Sequence, residues 1–585
     1  MTRSTIKKTT IKKTKKSKNQ LNNIFNLNNL FNNENSKALK LSKTSKTSKT
    51  SKTSKTSKTS KTSKFQKFSK QHNLNNYNKD KKLLYKIVSN MYSLDNPINY
   101  HLINYNYNET KLLVKKGLDN FKLCKSYNFD ILNEDYNKIE SVKNTTHSLK
   151  YEINLPTNEK GFSANAKEIS VNEKEVRSIE ADFTRGVNTY ININYKNLPI
   201  KFSNAFCKLW EILEVFDDIV PRYNINKVQH HQKPYQHQKS YQPQKFKVFH
   251  IAEAPGNMIE GLKYFTKKKR KNINLNHYDW IANSLNPNSL KNQEIYGKGK
   301  IFKDDYKLIK NNPNKWLWGE DDTGDITNTT NIKWFREYIN NKWLKNKDDK
   351  LDLICGDGGL GTDNDPFLLH KLDLAQVIMV LACSSIGGSC IIKHFTPYIY
   401  TSHETKNSTS FFIGFLYLYF ITFEKVNLFK PYTSNPDSGE FYVIGTGFKG
   451  INEKHLTNLY SILDNFKLND GLIKENNIPE TFTIQIINFL KKINKLNINT
   501  TKKYNLLLTC YKEINYKENE NKKIKKNSKN KYSKKSKEQL TSYNLSNIYK
   551  LSNKLFDCNL IFNKDFKNNV LVPRYKKWIE LYHFE

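Results

Sequence analysis

Residues 248–265 read VFHIAEAPGNMIEGLKYF, and the fold follows from them. Val248, Phe249, Ile251 and Ala252 make an apolar run of strand length that stops at Glu253. Ala254-Pro255-Gly256 turns the chain, after which Ile259, Leu262 and Phe265 recur at helical spacing. A buried strand, a glycine turn and an amphipathic helix form the opening unit of an α/β sheet, whose ligands bind outside the carboxyl ends of the strands. Glycine there lets a ligand approach the backbone, and an acid at the strand end can engage an amino or hydroxyl group.

The stretch has no G-x-G-x-x-G, which disfavours dinucleotides. S-adenosylmethionine, with no pyrophosphate to seat on a helix N-terminus, suits it. Beyond it, apolar runs of strand length alternate with helical segments: KVFHIA, YDWIANSL, KGKIFKD, LDLICGD, SCIIKHF, KVNLFK and EFYVIGTGF. Such alternation predicts a parallel or mostly parallel sheet wrapped by helices. Ahead of it, SNAFCKLWEILEVF (203–216) reads as a helix with Phe206, Leu209, Leu213 and Phe216 on its apolar face.

Further out the chain is less ordered in its patterning. Residues 42–64 repeat Ser-Lys-Thr seven times and end in Ser-Lys, with nothing apolar to bury. Residues 1–75 are therefore expected to be a disordered basic tail. Residues 76–200 make an accessory region in which Leu83, Leu84, Ile87, Val88 and Met91 have helical spacing and TYININYKNLPI (189–200) is expected to be extended. A domain of residues 201–450 follows, with a Gln/His-rich insertion at 225–245 centred on KVQHHQKPYQHQKSYQPQ. His230, His231 and His237 lack a Cys or acid at ligand spacing, so no metal is expected there. After it come a helical extension (451–512), a basic linker (513–540) and an aromatic-rich segment (541–585) expected to pack back.

The formal net charge is +42 over 585 residues, and residues 1–70 hold 20 Lys and Arg against the single acid Glu34. A basic body with basic appendages suits a polyanionic partner, nucleic acid ahead of membrane, because aromatics are plentiful and no basic amphipathic helix stands out. The seven cysteines (Cys124, Cys207, Cys355, Cys383, Cys390, Cys510 and Cys558) show no C-x-x-C pair. They read as reduced thiols of an intracellular protein, with neither a disulfide framework nor a zinc site. Phe411–Phe423 is too short to span a bilayer, and Leu374–Ile392 is interrupted by Gln376, Ser384, Ser385, Gly387 and Gly388, so both are expected in the core.

In order, HIAEAPGN, YDWIANSLNP (278–287), WLWGEDDTGDIT (316–327) and DLICGDGG (352–359) resemble the FtsJ-like (RrmJ-type) ribose 2′-O-methyltransferases, and within them the Adrift-type enzymes that methylate cap-proximal nucleotides of messenger RNA. The resemblance covers about Phe202 to Phe448. It implies a Rossmann-like sheet with flanking helices, S-adenosylmethionine as cofactor, the capped 5′ end of mRNA as partner, and neither metal nor membrane. Asp357-Gly358-Gly359 stands where bacterial ribosomal-RNA members carry D-M-A-P, which favours the cap branch. The family's Lys-Asp-Lys-Glu tetrad falls on Lys208, Asp357, Lys393 and Glu440. Its cofactor positions fall on Glu253, Ala254, Pro255, Gly256 and Asn257 at the methionine end, Asp325 near the adenine, and Asn283 and Asp357. Asn257 replaces a second small residue, and IANSL lacks the ribose-binding acid common in methyltransferases.

The resemblance assigns chemistry that these residue types can perform. A ribose hydroxyl is a poor nucleophile until deprotonated, and a lysine serves as base only when neighbouring charge and burial lower its pKa. Lys393 is expected as base, Lys208 as its positive neighbour, Glu440 as orienter of a lysine, and Asp357 as the acid near the reacting methyl. Transfer to ribosomal or transfer RNA, and a catalytically inactive RNA-binding protein on the same fold, are the rival readings.

Overall fold

The computed structural model describes residues 98–103, 124–125, 132–152, 186–195, 198, 202–221, 245–270, 278–297, 302–346, 349–359, 366–397, 409–436, 438–467, 470–502, 505 and 572–584. The Ser-Lys-Thr tail, His230, His231, His237 and the basic linker lie outside them.

The strands are β1 (Ile98–His101), β2 (Cys124–Lys125), β3 (Phe246–Ile251), β4 (Tyr278–Asn283), β5 (Trp316–Leu317), β6 (Leu353–Gly356), β7 (Ser389–Phe395), β8 (Phe423–Lys430), β9 (Glu440–Phe448) and β10 (Asp470–Gly471). Eight of them form one sheet in the order β1-β8-β9-β7-β6-β3-β4-β5, while β2 and β10 pair separately. Strands β3 to β7 run parallel, and β9 enters antiparallel between β7 and β8. Starting from β3, the chain builds outward through β4 and β5, then returns to build β6 and β7 on the other side. The order reverses between β3 and β6, and that is where such sheets bind their ligands.

Alternate residues of each strand enter two separate cores. Phe246 and Val248 pack on one face with Cys355, Ile391, Tyr442 and Ile444. Phe249 and Ile251 pack on the other with Ile354, Ile392, Phe441 and Val443. The period of two is the strand pleat, and burial on both sides explains why these strands read as continuous apolar runs. Helices cover the first face: α1 (Asn204–Val215), α2 (Asn257–Lys269) and the C-terminal α6 (Val572–Leu581). On the second face lie α3 (Pro366–Cys383), α4 (Thr409–Thr422), α5 (Glu453–Asp464) and a helix over 480–502. Among the described residues no helix is long and apolar enough to cross a membrane. The apolar runs around 374–383 and 411–422 lie inside α3 and α4, in the core.

Three expectations are corrected. Residues 186–194 are helical, so TYININY is not extended. Buried Val187 and Ile191 are four apart and pack with Tyr575 and Phe584, a contact that rewards helical spacing over the β propensity of Ile and Tyr. Residues 302–304 of KGKIFKD form no strand, and Trp316–Leu317 takes the outer place beside β4. The stretch from 451 is not wholly helical, since Asp470–Gly471 forms a short antiparallel pair with Cys124–Lys125. The sheet also reaches back before residue 200, because β1 pairs antiparallel with β8.

Candidate active site at the sheet switch point

Ala252 and Glu253 follow the end of β3, and the turn after them is built on backbone. Ala254–Pro255 is cis, and Gly256 caps α2 in the left-handed region at φ 108°. The positive φ favours glycine, and a Cβ there would also press on Leu308 Cδ1 at 2.2 Å. Glu253 donates its N–H to Asn283 O (3.0 Å), tying the ends of β3 and β4 together. Its Oε1 accepts from the amides of Met258 (2.6 Å) and Ile259 (3.3 Å) at the start of α2. Asn283 donates through Nδ2 to Leu317 O (3.3 Å) and Gly324 O (3.1 Å), which brings Asp325 to the same edge. Asp325 Oδ1 accepts from Thr327 N at 2.8 Å, and Asn257 Oδ1 accepts from Tyr306 OH at 2.7 Å.

Two acceptors at this edge are left over. Glu253 Oε2 and Asn283 Oδ1 are buried and find no hydrogen-bond partner among the described residues. Buried polar atoms are rarely left so, and two at adjacent strand ends fit a ligand that brings amino or hydroxyl donors. Burial, followed by the nearby Asp357 carboxylate, raises Glu253 to about 8. A cationic amine bound there would relieve both effects. The residues therefore fit S-adenosylmethionine, which carries an ammonium, ribose hydroxyls and an adenine amine.

The second half of the site lies on β6, β7 and β9. Lys393 Nζ stands 3.1 Å from Asp357 Oδ1, the residue after β6. The same oxygen accepts from Tyr442 OH at 2.7 Å. Lys393 and Tyr442 are direct cross-strand partners on β7 and β9, so the register sends both side chains to one carboxylate. Burial first, then Asp357, holds the Tyr442 phenol far above its ordinary range, so it remains a donor. A Cβ at Gly359 would lie 3.0 Å from Lys393 Nζ, and a glycine there leaves the ammonium its room.

Because β9 is antiparallel, its first residue lies at the same edge as the ends of its neighbours. Glu440 there meets Lys208 of α1, Nζ to Oε1 2.7 Å and to Oε2 2.9 Å. Ser434 Oγ donates to Glu440 Oε1 at 2.7 Å. Lys430 Nζ donates to the carbonyls of Asn435 (3.0 Å), Ser438 (2.8 Å) and Glu440 (2.8 Å), which shapes the β8–β9 connection. Burial would raise Glu440, but Lys208, Lys393 and Lys430 outweigh it and hold the carboxyl at about 2. For Lys208, burial opposes the charge, yet Glu440 and Asp357 prevail and raise it.

All four residues expected to form the tetrad thus meet at one sheet edge, where Glu253 lies near Asp357 and Lys393. The lysine that Glu440 holds is Lys208, through both carboxylate oxygens. Sequence reasoning missed Tyr442, Ser434 and Lys430. Tyr442 had a signal, since residues two apart on a strand share a face and it follows Glu440 by two. Among the described residues no group of three or more His, Cys, Asp or Glu is placed to hold a metal ion.

Residues 202–448 match the FtsJ-like methyltransferase family. An uncharacterized protein of Acanthamoeba polyphaga mimivirus is 29% identical over 337 residues, 56% of this chain and 36% of that protein. Cap-specific mRNA (nucleoside-2'-O-)-methyltransferase 2 of Pongo abelii is 27% identical over 291 residues, 48% of this chain and 32% of that one. Cap-specific mRNA (nucleoside-2'-O-)-methyltransferase 1 of Mus musculus is 33% identical over 192 residues, 32% and 21% of the two chains. The chain spans about a third or less of the length of these relatives.

Proposed function

Because residues 202–448 carry an FtsJ-like methyltransferase domain, we propose that the chain transfers a methyl group from S-adenosylmethionine to a ribose 2′-hydroxyl of the cap-proximal nucleotides of messenger RNA. The observation that carries this reading is the meeting of Lys208, Asp357, Lys393 and Glu440 beside the strand end that bears Glu253. Similarity to cap-specific relatives supports the choice of RNA, and the basic charge of the chain suits a polyanion.

Bound S-adenosylmethionine supplies a methyl group on a sulfonium, a good leaving group. Glu253 and Asn283 would hold its polar groups through their unpartnered oxygens, and the 254–257 turn and Asp325 would border it. Lys393, as the free amine, takes the proton of the 2′-hydroxyl. Asp357 and Tyr442 hold that amine in place, and Lys208 places a positive charge near the developing alkoxide. Glu440 fixes Lys208 from below. With a good leaving group, the residues act mainly through in-line positioning and proton removal.

The test is methyl transfer from labelled cofactor to RNAs identical except for the 5′ end: uncapped, capped, or capped and already methylated on the first nucleotide, with the product mapped. Transfer confined to capped RNA is expected. Equal transfer to uncapped RNA would redirect the reading to ribosomal or transfer RNA. Binding without any transfer would leave an RNA-binding module.

A further inference from the structure

Helix α1 carries Asn204, Lys208 and Glu211, spaced four and three apart and so on one face. All three reach the 432–440 stretch. Asn204 Nδ2 donates to Thr433 O (3.0 Å), and Lys208 pairs with Glu440. Glu211, fully out of water, accepts from Tyr432 N (2.5 Å), Thr433 N (2.9 Å) and Thr433 Oγ1 (2.5 Å). The next residue, Ser434, donates to Glu440. Glu211 therefore holds both the helix that bears Lys208 and the loop that supports Glu440.

A fourth donor to Glu211 comes from far along the chain. Trp578 Nε1, on α6, lies 2.9 Å from Glu211 Oε1. Arg574 Nε donates to Tyr432 OH at 3.0 Å, and Trp210 Nε1 donates to Tyr582 O at 2.8 Å. Phe584 packs edge-on against Phe202 and Trp210. Residues 572–584 lie beyond the stretch that matches the family, yet Tyr575, Trp578, Ile579, Tyr582 and Phe584 share one core with α1.

We propose that Glu211 is a positioning residue for the methyl-transfer site, and that residues 572–584, through Trp578, belong to the catalytic unit. The role rests on the reading of Lys208 and Glu440 given above. Hydrogen bonds from Tyr432, Thr433, Trp578 and Tyr582 converge on one buried carboxylate and tie it to the elements that carry or support the Lys208–Glu440 pair. Removing one donor leaves this buried carboxylate partly unsatisfied and weakens its hold on α1 and the 432–434 loop.

Two full-length variants test it. Trp578→Phe keeps an aromatic ring and removes the Nε1–H. Glu211→Gln keeps the volume and leaves at least one donor facing an amide N–H. Acylation of Lys208 by a small amine-reactive ester, followed by peptide mass spectrometry, should quicken about fivefold or more in each variant. Lys247, ion-paired to Asp349 at the opposite end of β3, should keep its parent rate. Turnover should fall by a similar factor, with KM for the cofactor within about twofold. Unchanged Lys208 labelling in both variants, or Lys208 and Lys247 quickening together, would overturn the proposal and leave the contact as general stabilisation. Should the parent methylate no RNA, the functional reading falls, and the labelling still decides the positioning role.

Discussion

Lys208 and Glu440, 232 positions apart in the chain, hold each other through both carboxylate oxygens at 2.7 and 2.9 Å, almost out of contact with water. A buried pair of this kind is stiff, and removing either partner leaves an uncompensated charge at a cost of about 3–5 kcal/mol. The second pair, Lys393 and Asp357, lies closer to the end of β3 and so to the expected cofactor. Each of the two lysines thus has its own acid, Lys208 with Glu440 and Lys393 with Asp357.

Lys393→Ala should nearly abolish turnover and leave S-adenosylmethionine affinity within a few-fold, because the amine acts on the hydroxyl. Single-turnover assays and cofactor titration measure the two effects separately. Activity above about a tenth of the parent would remove Lys393 from the base role.

Asp357→Asn should abolish methyl transfer without lowering the melting temperature appreciably. Asn can still accept from Tyr442, but it has no charge to offer Lys393. A residue that only forms a turn would tolerate Asn, which favours the same backbone geometry. Retained activity would refute the assignment of the tetrad.

Glu440 makes stability depend on acid. Its carboxyl sits at about 2 in the folded chain, against about 4.3 when unfolded. The unfolded state therefore binds the extra proton first, and the contribution of Glu440 is complete above the unfolded value and lost as pH falls through the folded one. Urea unfolding of the parent and Glu440→Gln should differ by a constant amount from pH 7 to about 5, and the gap should shrink below that. A gap that does not change down to about pH 3 would contradict the assigned pairing.

Glu253 has the opposite sign. Raised to about 8, it keeps its proton in the folded chain while the unfolded chain loses it, so its contribution is favourable below about 4.3 and is lost as pH rises toward 8. Glu253→Gln should therefore unfold at higher urea than the parent at pH 8–9. Binding of the cofactor's ammonium at Glu253 should also release a proton near pH 7. Calorimetric titrations in buffers of different ionisation enthalpy would detect it, and identical heats in both buffers would exclude the contact.

Much of the sheet was legible because its strands are buried on both faces. KVFHIA, YDWIAN, LICG, SCIIKHF and EFYVIGTGF stand out as apolar runs, and each is a strand. Trp316–Leu317 was legible only as part of a motif, since two residues are too few to show a period. TYININY reads as a strand by propensity and folds as a helix, because its tertiary contacts lie four residues apart.

Site residues were legible where a motif named them, and their relationships were not. The sequence by itself determined that Glu253, Asp357 and Lys393 stand at or beside strand ends, since local patterning and turn residues mark where each strand stops. Only the tertiary structure decided that β9 runs antiparallel between β7 and β8, which turns the start of that strand toward the ends of the others and puts Tyr442 opposite Lys393. The same holds for the pairing of Lys208 with Glu440 and for the placement of Trp578 on Glu211. Such partners, hundreds of positions apart, are chosen by register, burial and the need of each buried charge for a counterpart, and no local stretch of sequence contains those terms.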